Sequence, residues 1–261
     1  MYIFQVVREK RSQVIKKKFS RVAPNYDRYA DIQRYFGQML LKELKKDGIL
    51  TKKILDIGTG TGSLLKLLNS LYPKAEIVGV DMSWGMLEIA KEKIDKVLQA
   101  DAVNLPLKNN SFDLVISNLA LQWVIDLEAA LFEVLRVLKR EGRFYFTTFG
   151  PQTLKELKII FPALEGYLKL NTLATIVDLL KKIGFLDIQS EAVLEKKTYP
   201  RMIDIVRWLK NIGANYTGYI PTKNLGMRRI WQLAEEMYRR QFSIEEGVFA
   251  TFEVFLIKAQ K

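Results

Sequence analysis

The stretch Lys53-Ile54-Leu55-Asp56-Ile57-Gly58-Thr59-Gly60-Thr61-Gly62 decides how the rest of the chain is read. Five residues rich in branched apolar side chains predict a buried strand. Three glycines at alternate positions predict a turn that brings the backbone close to a ligand. Leu64, Leu65, Leu67, Leu68 and Leu71 then follow a helical spacing, and Pro73 ends the run. A helix starting directly after such a loop offers unpaired N–H groups to a polar ligand. The glycines stand as GxGxG, with Ser63 where a dinucleotide fingerprint needs its third glycine. Asp81 closes a second strand (75–80) and lies 19 residues past Gly62, the interval of a carboxylate that binds ribose hydroxyls. Asp101 closes a third short strand (97–100), placed to accept from an adenine amino group. No Arg follows Asp81 to meet a 2′-phosphate. Loop, Asp81 and Asp101 at successive strand ends predict a nucleoside pocket.

Outward from this core, short β-branched runs alternate with helical stretches, the pattern of a parallel sheet with crossover helices. Strands are predicted at 112–117, ending on Asn118, and at 143–149, 185–193 and 248–257. Helices are predicted at 84–94, 127–138 and 172–183, the last stopped by Gly184. Residues 200–211 and 226–240 read as helices outside the alternating scheme. The expected fold is α/β: a doubly wound, mostly parallel seven-stranded sheet in a domain spanning 49–261. An N-terminal helical segment (1–48) precedes it, and a helical insertion (about 198–243) interrupts it before the last strand.

Composition closes several kinds of chemistry. The chain has 261 residues, 49% of them hydrophobic, with neither Cys nor His. Disulfide frameworks, thiolate zinc sites, cysteine nucleophiles, HEXXH sites and Ser-His-Asp hydrolysis are excluded, and no metal site is expected. With no apolar run of ~18 residues and no apolar signal segment, no membrane span is expected, and the chain reads as cytoplasmic. The formal charge of +12 is uneven: residues 1–50 carry 12 Lys and Arg against 5 Asp and Glu, while residues 51–150 carry 12 of each. Such an end suits an acidic partner, or is a solvated basic surface.

Ile54 to Gly62, Val80-Asp81-Met82-Ser83 and Ala100-Asp101-Ala102 resemble the class I S-adenosylmethionine-dependent methyltransferases. The Asn104-Leu105-Pro106-Leu107 and Ser111-Phe112-Asp113 segments resemble that family's approach to its fourth strand. The resemblance implies a Rossmann-like fold and S-adenosylmethionine as cofactor. Its binding residues would be Asp56, Gly58, Thr59, Gly60, Gly62, Asp81 on the ribose, Met82 on the adenine, Asp101, Ala102 and Asn118.

Blocks along nearly the whole chain are similar to a narrower family, the malonyl-acyl-carrier-protein O-methyltransferases of biotin synthesis. They are Arg21-Val22-Ala23-Pro24-Asn25-Tyr26-Asp27, Ser117 to Trp123, Phe146 to Gly150 with Leu154-Lys155-Glu156-Leu157, Arg207 to Ala214, and Thr251 to Val254. Thr59 and Thr61 depart from the Cys and Pro frequent there. This resemblance implies methylation of the free carboxylate of a malonyl thioester on an acyl carrier protein, or on coenzyme A. A carboxylate is already ionised at neutral pH and needs no general base, which a chain without His or Cys can accommodate. Four residues are expected to serve the acceptor: Arg207, paired at i,i+3 with Lys210 for a carboxylate grip; Tyr26, closing over the cofactor; and Gln122 and Trp123 after the fourth strand. Lys10, Arg11, Lys16, Lys17, Lys18 and Arg21, with Arg228 and Arg229, suit docking of an acidic carrier. A monomer is expected.

Other readings stay open at this point. A small-molecule methyltransferase acting on a quinone or dicarboxylic acid shares the glycine loop. So does a non-catalytic assembly factor, since mitochondrial complex I assembly proteins resemble this family too. No nucleic-acid partner is expected, because Ser117-Asn118-Leu119-Ala120 is not the Asn/Asp-Pro-Pro-aromatic run of amino-directed enzymes, and cytosine-C5 enzymes need a cysteine.

Overall fold

The computed structural model describes residues 2–164, 170–214 and 225–261, with side chains from Ser12 onward and, after the second gap, from Arg228 onward. Lys10 and Arg11 therefore lie outside the described side chains, as does part of the expected insertion. Two helices, α1 (Tyr2–Tyr29) and α2 (Asp31–Lys46), precede the sheet. The core then runs β1 (Lys53–Ile57), α3 (Ser63–Leu71), β2 (Glu76–Asp81), α4 (Trp84–Ala90), β3 (Val97–Gln99) and β4 (Phe112–Asn118). A single 3₁₀ turn (Leu121–Trp123) leads to α5 (Leu127–Val137) and β5 (Leu138–Phe149). After them come α6 (Lys155–Ile160), α7 (Leu173–Ile183), β6 (Leu186–Tyr199), α8 (Met202–Asn211), α9 (Leu225–Phe242), β7 (Ser243–Ile244) and β8 (Gly247–Gln260).

The sheet order is β3-β2-β1-β4-β5-β8-β6, seven strands on one path, with the two-residue β7 as an eighth that pairs only with β8. β1 to β5 pair in parallel and β8 runs antiparallel to both neighbours. The chain winds outward from β1 to β3, then returns to β4 on the other side. That reversal opens a crevice at the carboxyl ends of β1 and β4, where open α/β sheets bind ligands.

Alternation along β1 explains the two layers. Ile54 packs with Leu40, Leu44, Leu65 and Leu68 on one face. Leu55 and Ile57 pack with Leu131, Val134 and Leu180 on the other. Burial of each such side chain contributes ~1.5–3 kcal/mol. A third cluster fills the insertion, where Met202, Ile205, Trp208 and Tyr238 pack on Phe252 of β8 and Phe36 of α2.

Some elements end where local chemistry says they should. Thr172 caps α7 by accepting from Thr175 N, and Gly184 leaves it at φ 108°. Others differ from the sequence expectation. β6 runs six residues past Val193, because β8 pairs with it from Leu186↔Gln260 to Tyr199↔Val248. Its Glu195-Lys196-Lys197 run, with Lys196 exposed and its neighbours half-buried, has no strand signature of its own, as befits a charged edge.

Candidate active site

At the crevice lies a cavity of about 810 Å³, in the range of small-molecule sites. Its floor comes from Gly58, Gly60, Val80, Asp81 and Met82. The glycine loop is held by backbone bonds: Gly58 N and Thr59 N both donate to Val80 O, at 2.8 and 3.0 Å. Gly58 sits at φ 73°, and a Cβ on it would stand 2.2 Å from the Ala120 Cβ, so only glycine fits there. Asp81 bridges two amides, accepting from Gly60 N at 2.9 Å and Ser83 N at 2.7 Å. Burial pushes its carboxyl above the ordinary carboxylate range, against the pull of those N–H bonds.

The walls carry Asp101 and Ala102 after β3, Asn118 at the end of β4, and Leu119, Trp123 and Asp126 after it. Asp101 accepts from Val103 N at 3.2 Å. The roof is the inner face of α1, with Ser12, Gln13, Ile15, Phe19 and Tyr26. Phe19 meets both Trp123 (centroids 5.3 Å apart) and Tyr26 (6.4 Å) edge to face, so three aromatic rings close that side. Burial, with Asp81 and Asp27 nearby, raises the Tyr26 hydroxyl well above its usual range. It stays protonated at neutral pH and is a donor, not a base. Among the described residues the lining holds three carboxylates, Asp81, Asp101 and Asp126, and no Lys or Arg.

Residues 55–146 match the family described as "Methyltransferase domain". The malonyl-acyl-carrier-protein O-methyltransferase of Methylococcus capsulatus is 33% identical over 251 residues, covering 93% of this chain and 91% of its own. The chain belongs to that family of O-methyltransferases. The Geobacter sulfurreducens member is 31% identical, with 92% of this chain and 95% of that one covered. A solved SAM-dependent methyltransferase of Thermotoga maritima, described as a possible histamine N-methyltransferase, shares the fold. Its TM-score is 0.60 at 22% identity, over 95% of this chain and 99% of that one.

Within this methyltransferase frame, some expected residues line the cavity and others stand behind it. Gly58, Gly60, Asp81, Met82, Asp101, Ala102, Asn118, Tyr26 and Trp123 line it. Asn118 does so with its amide donating to Gln33 O on α2 and accepting from the Thr147 hydroxyl. Asp56 and Thr59 do not reach the cavity: the Thr59 hydroxyl donates to Asp56 Oδ2 at 2.8 Å beneath the loop. Burial pushes the Asp56 carboxyl up to about 7. Gly62 packs against Ala90 of α4, outside the lining. Gln122 is turned away, donating to Leu119 O and accepting from Thr148 Oγ1.

Arg207 stands apart from the cavity. Its helix, α8, buries Met202, Ile205, Trp208 and Leu209, which leaves Arg207 on the opposite, solvent side. It pairs with Asp204 at 2.9 Å and lines no part of the cavity. Conversely, Ser12, Ile15 and Phe19 escaped the sequence reading, although with Tyr26 they recur at helical spacing along one face of α1.

Proposed function

We propose that this protein transfers a methyl group from S-adenosylmethionine to the free carboxylate of a malonyl thioester on an acyl carrier protein. The ester formed primes pimeloyl and thence biotin synthesis. The observation that carries this reading is similarity across more than nine-tenths of the chain to relatives named for that reaction. These relatives do not favour the quinone, dicarboxylate and assembly-factor alternatives.

The donor set suits a cationic ligand bearing a ribose and an adenine, since among the described residues the lining offers carboxylates and no Lys or Arg. Asp81 would hold the ribose hydroxyls, Asp101 the adenine amino group, and Met82 and Ala102 the faces of the ring. When bound, S-adenosylmethionine supplies a methyl group on positively charged sulfur, which an ionised carboxylate takes up without losing a proton. The chain's part is therefore positioning, and alignment alone lowers such barriers by up to ~7–11 kcal/mol. Tyr26 donates a hydrogen bond to the acceptor carboxylate. Phe19 and Trp123 exclude water beside it, which strengthens that bond. The chain's basic N-terminal region suits an acidic carrier protein and equally the phosphates of coenzyme A.

Incubation with S-adenosylmethionine and malonyl-acyl carrier protein, followed by mass spectrometry, should reveal a gain of one CH₂ on the malonyl group. No gain on either malonyl-acyl carrier protein or malonyl-coenzyme A overturns the proposal.

A further inference from the structure

The roof helix α1 is fastened to the floor at two points, and the fastenings are polar. The first is at Ser20, whose hydroxyl lies 2.8 Å from that of Ser83 and within 3.4 Å of Gly85 N. The helices approach so closely there that a Cβ on Gly85 would lie 2.9 Å from the Ser20 backbone. Pro24, four residues on, has no amide to bond Ser20 O, so that carbonyl is left clear on the packed face. The second point is Asp27, seven residues along, or about 10 Å of helix. Its Oδ1 accepts from the Thr61 hydroxyl at 2.5 Å and the Ser63 hydroxyl at 3.0 Å. Its Oδ2 accepts from Lys93 Nζ at 3.0 Å, and the same ammonium donates to Thr61 O at 2.7 Å. One carboxylate on the roof thus joins the last turn of the glycine loop, the start of α3 and the turn that follows α4.

We infer that Asp27 is a positioning residue: it latches α1 through Lys93 and Thr61 onto the glycine loop, coupling closure of the roof to the order of the loop beneath it. Asp27 touches no part of the cavity, and its neighbour Tyr26 does. Between the two fastenings lie Ala23, buried, and the inward Tyr26, and the inward Phe19 directly precedes the first, so the latch fixes the rings that cover the acceptor side. The side chain of Asp27 is 47% exposed. A half-exposed ion pair adds little to overall stability, so the latch can open without unfolding the domain. Coupling of this kind is reciprocal: a ligand that orders the loop favours the closed roof, and a closed roof tightens that ligand. Exchange of substrate and product then requires the latch to release.

The inference rests on the methyl-transfer reading only for its ligand arm, so the test has a ligand-free arm as well. Hydrogen exchange is measured on the full chain and on Asp27→Asn, Lys93→Met and Gly85→Ala, alongside melting temperature. We expect faster exchange confined to α1 and the glycine loop in all three, with melting nearly unchanged for the first two. Asp27→Asn and Lys93→Met combined should be no worse than either alone. With S-adenosylmethionine present, calorimetry should give about fivefold weaker affinity in Asp27→Asn. Unaltered exchange in α1 of Asp27→Asn and Lys93→Met overturns the latch, and so does a general rise in exchange matched by lost melting temperature. Wild-type protein that does not bind S-adenosylmethionine, with α1 still loosened by the variants, overturns the functional reading and leaves the latch standing.

Discussion

The cavity is enclosed from below and from above by two kinds of construction. Below, position is set by backbone: loop amides bond to Val80 O, Gly60 N and Ser83 N grip Asp81, and β1 lies between β2 and β4. Above, the described bonds from α1 to that floor run through side chains, those of Ser20 and Asp27, beside the ring contacts of Phe19 with Trp123. Backbone bonds in a sheet cannot be released one at a time without local unfolding, whereas hydroxyl and carboxylate bonds on a half-exposed helix can. The floor is therefore a fixed template and the roof a movable part. That assignment is what a ligand-covering site requires, because something must open.

The comparison breaks first at Gly58. Gly58→Ala puts a methyl group 2.2 Å from Ala120 and an L-residue at φ 73°, on a floor that has no room to retreat. Strain and overpacking together should cost about 3 kcal/mol or more, a hundredfold or greater loss of cofactor affinity by calorimetry. Gly85→Ala also creates a clash, at 2.9 Å, but against a helix that can lift. Equal losses of affinity in the two variants would erase the distinction between floor and roof.

Asp81→Ala comes next. It removes a carboxylate held by two amides and facing the cavity. Cofactor binding should weaken by roughly 1.5–3 kcal/mol, the scale of a hydrogen bond to a charged group. The KM for the malonyl thioester should change far less. A mutant that binds the cofactor as tightly as the wild type would remove Asp81 from the ribose.

A third, smaller effect lies in the pH dependence of stability. Burial lifts Asp56 from an ordinary 3.8 to about 7. Between those values the folded protein holds a proton that the unfolded chain has lost, so the stability from this group, full below about pH 4, disappears as pH rises through 7. Asp56→Asn keeps an acceptor for the Thr59 hydroxyl and has no charge to bury. Its melting temperature should stay flatter from about pH 5 to about pH 8, while the wild type declines by a few degrees. Parallel curves would show that Asp56 does not titrate in this window.

Floor and roof also differ in how far they can be read from sequence. The glycine loop, Asp81 and Asp101 are local features, each fixed by its distance from a strand end, and the doubly wound order follows from the alternation of strand and helix. Phe19 and Ile15 become part of the site only once α1 folds back over β1 and β4. That packing is tertiary, and the one local clue is the spacing of apolar residues on α1. The Asp27–Lys93 pair spans 66 residues, and nothing in either neighbourhood announces it. Asp56 and Thr59 illustrate the reverse problem: a loop motif marks residues that shape the backbone together with those that touch the ligand, without separating them.

Arg207 makes the smallest effect and the sharpest contrast with α1. On α1 the spacing of Ser12, Ile15, Phe19 and Tyr26 selects the face turned to the cavity. On α8 the spacing of Met202, Ile205, Trp208 and Leu209 selects a face packed into the insertion core. One residue before Trp208, Arg207 is turned about 100° from it, and it follows Ile205 by about 200°, so the helix directs it outward. Its side chain is 62% exposed and bonds to Asp204 three positions earlier, an arrangement worth ~0.3–0.5 kcal/mol. Arg207→Ala should therefore leave the KM for malonyl thioester and the cofactor affinity unchanged, and shift stability by no more than ~0.5 kcal/mol in thermal or denaturant melts. Tyr26→Phe, which keeps the ring and removes the donor, should raise the acceptor KM severalfold at constant cofactor affinity. If the two variants trade places, with Arg207→Ala losing the acceptor and Tyr26→Phe silent, the acceptor carboxylate is held from the insertion and not from the roof.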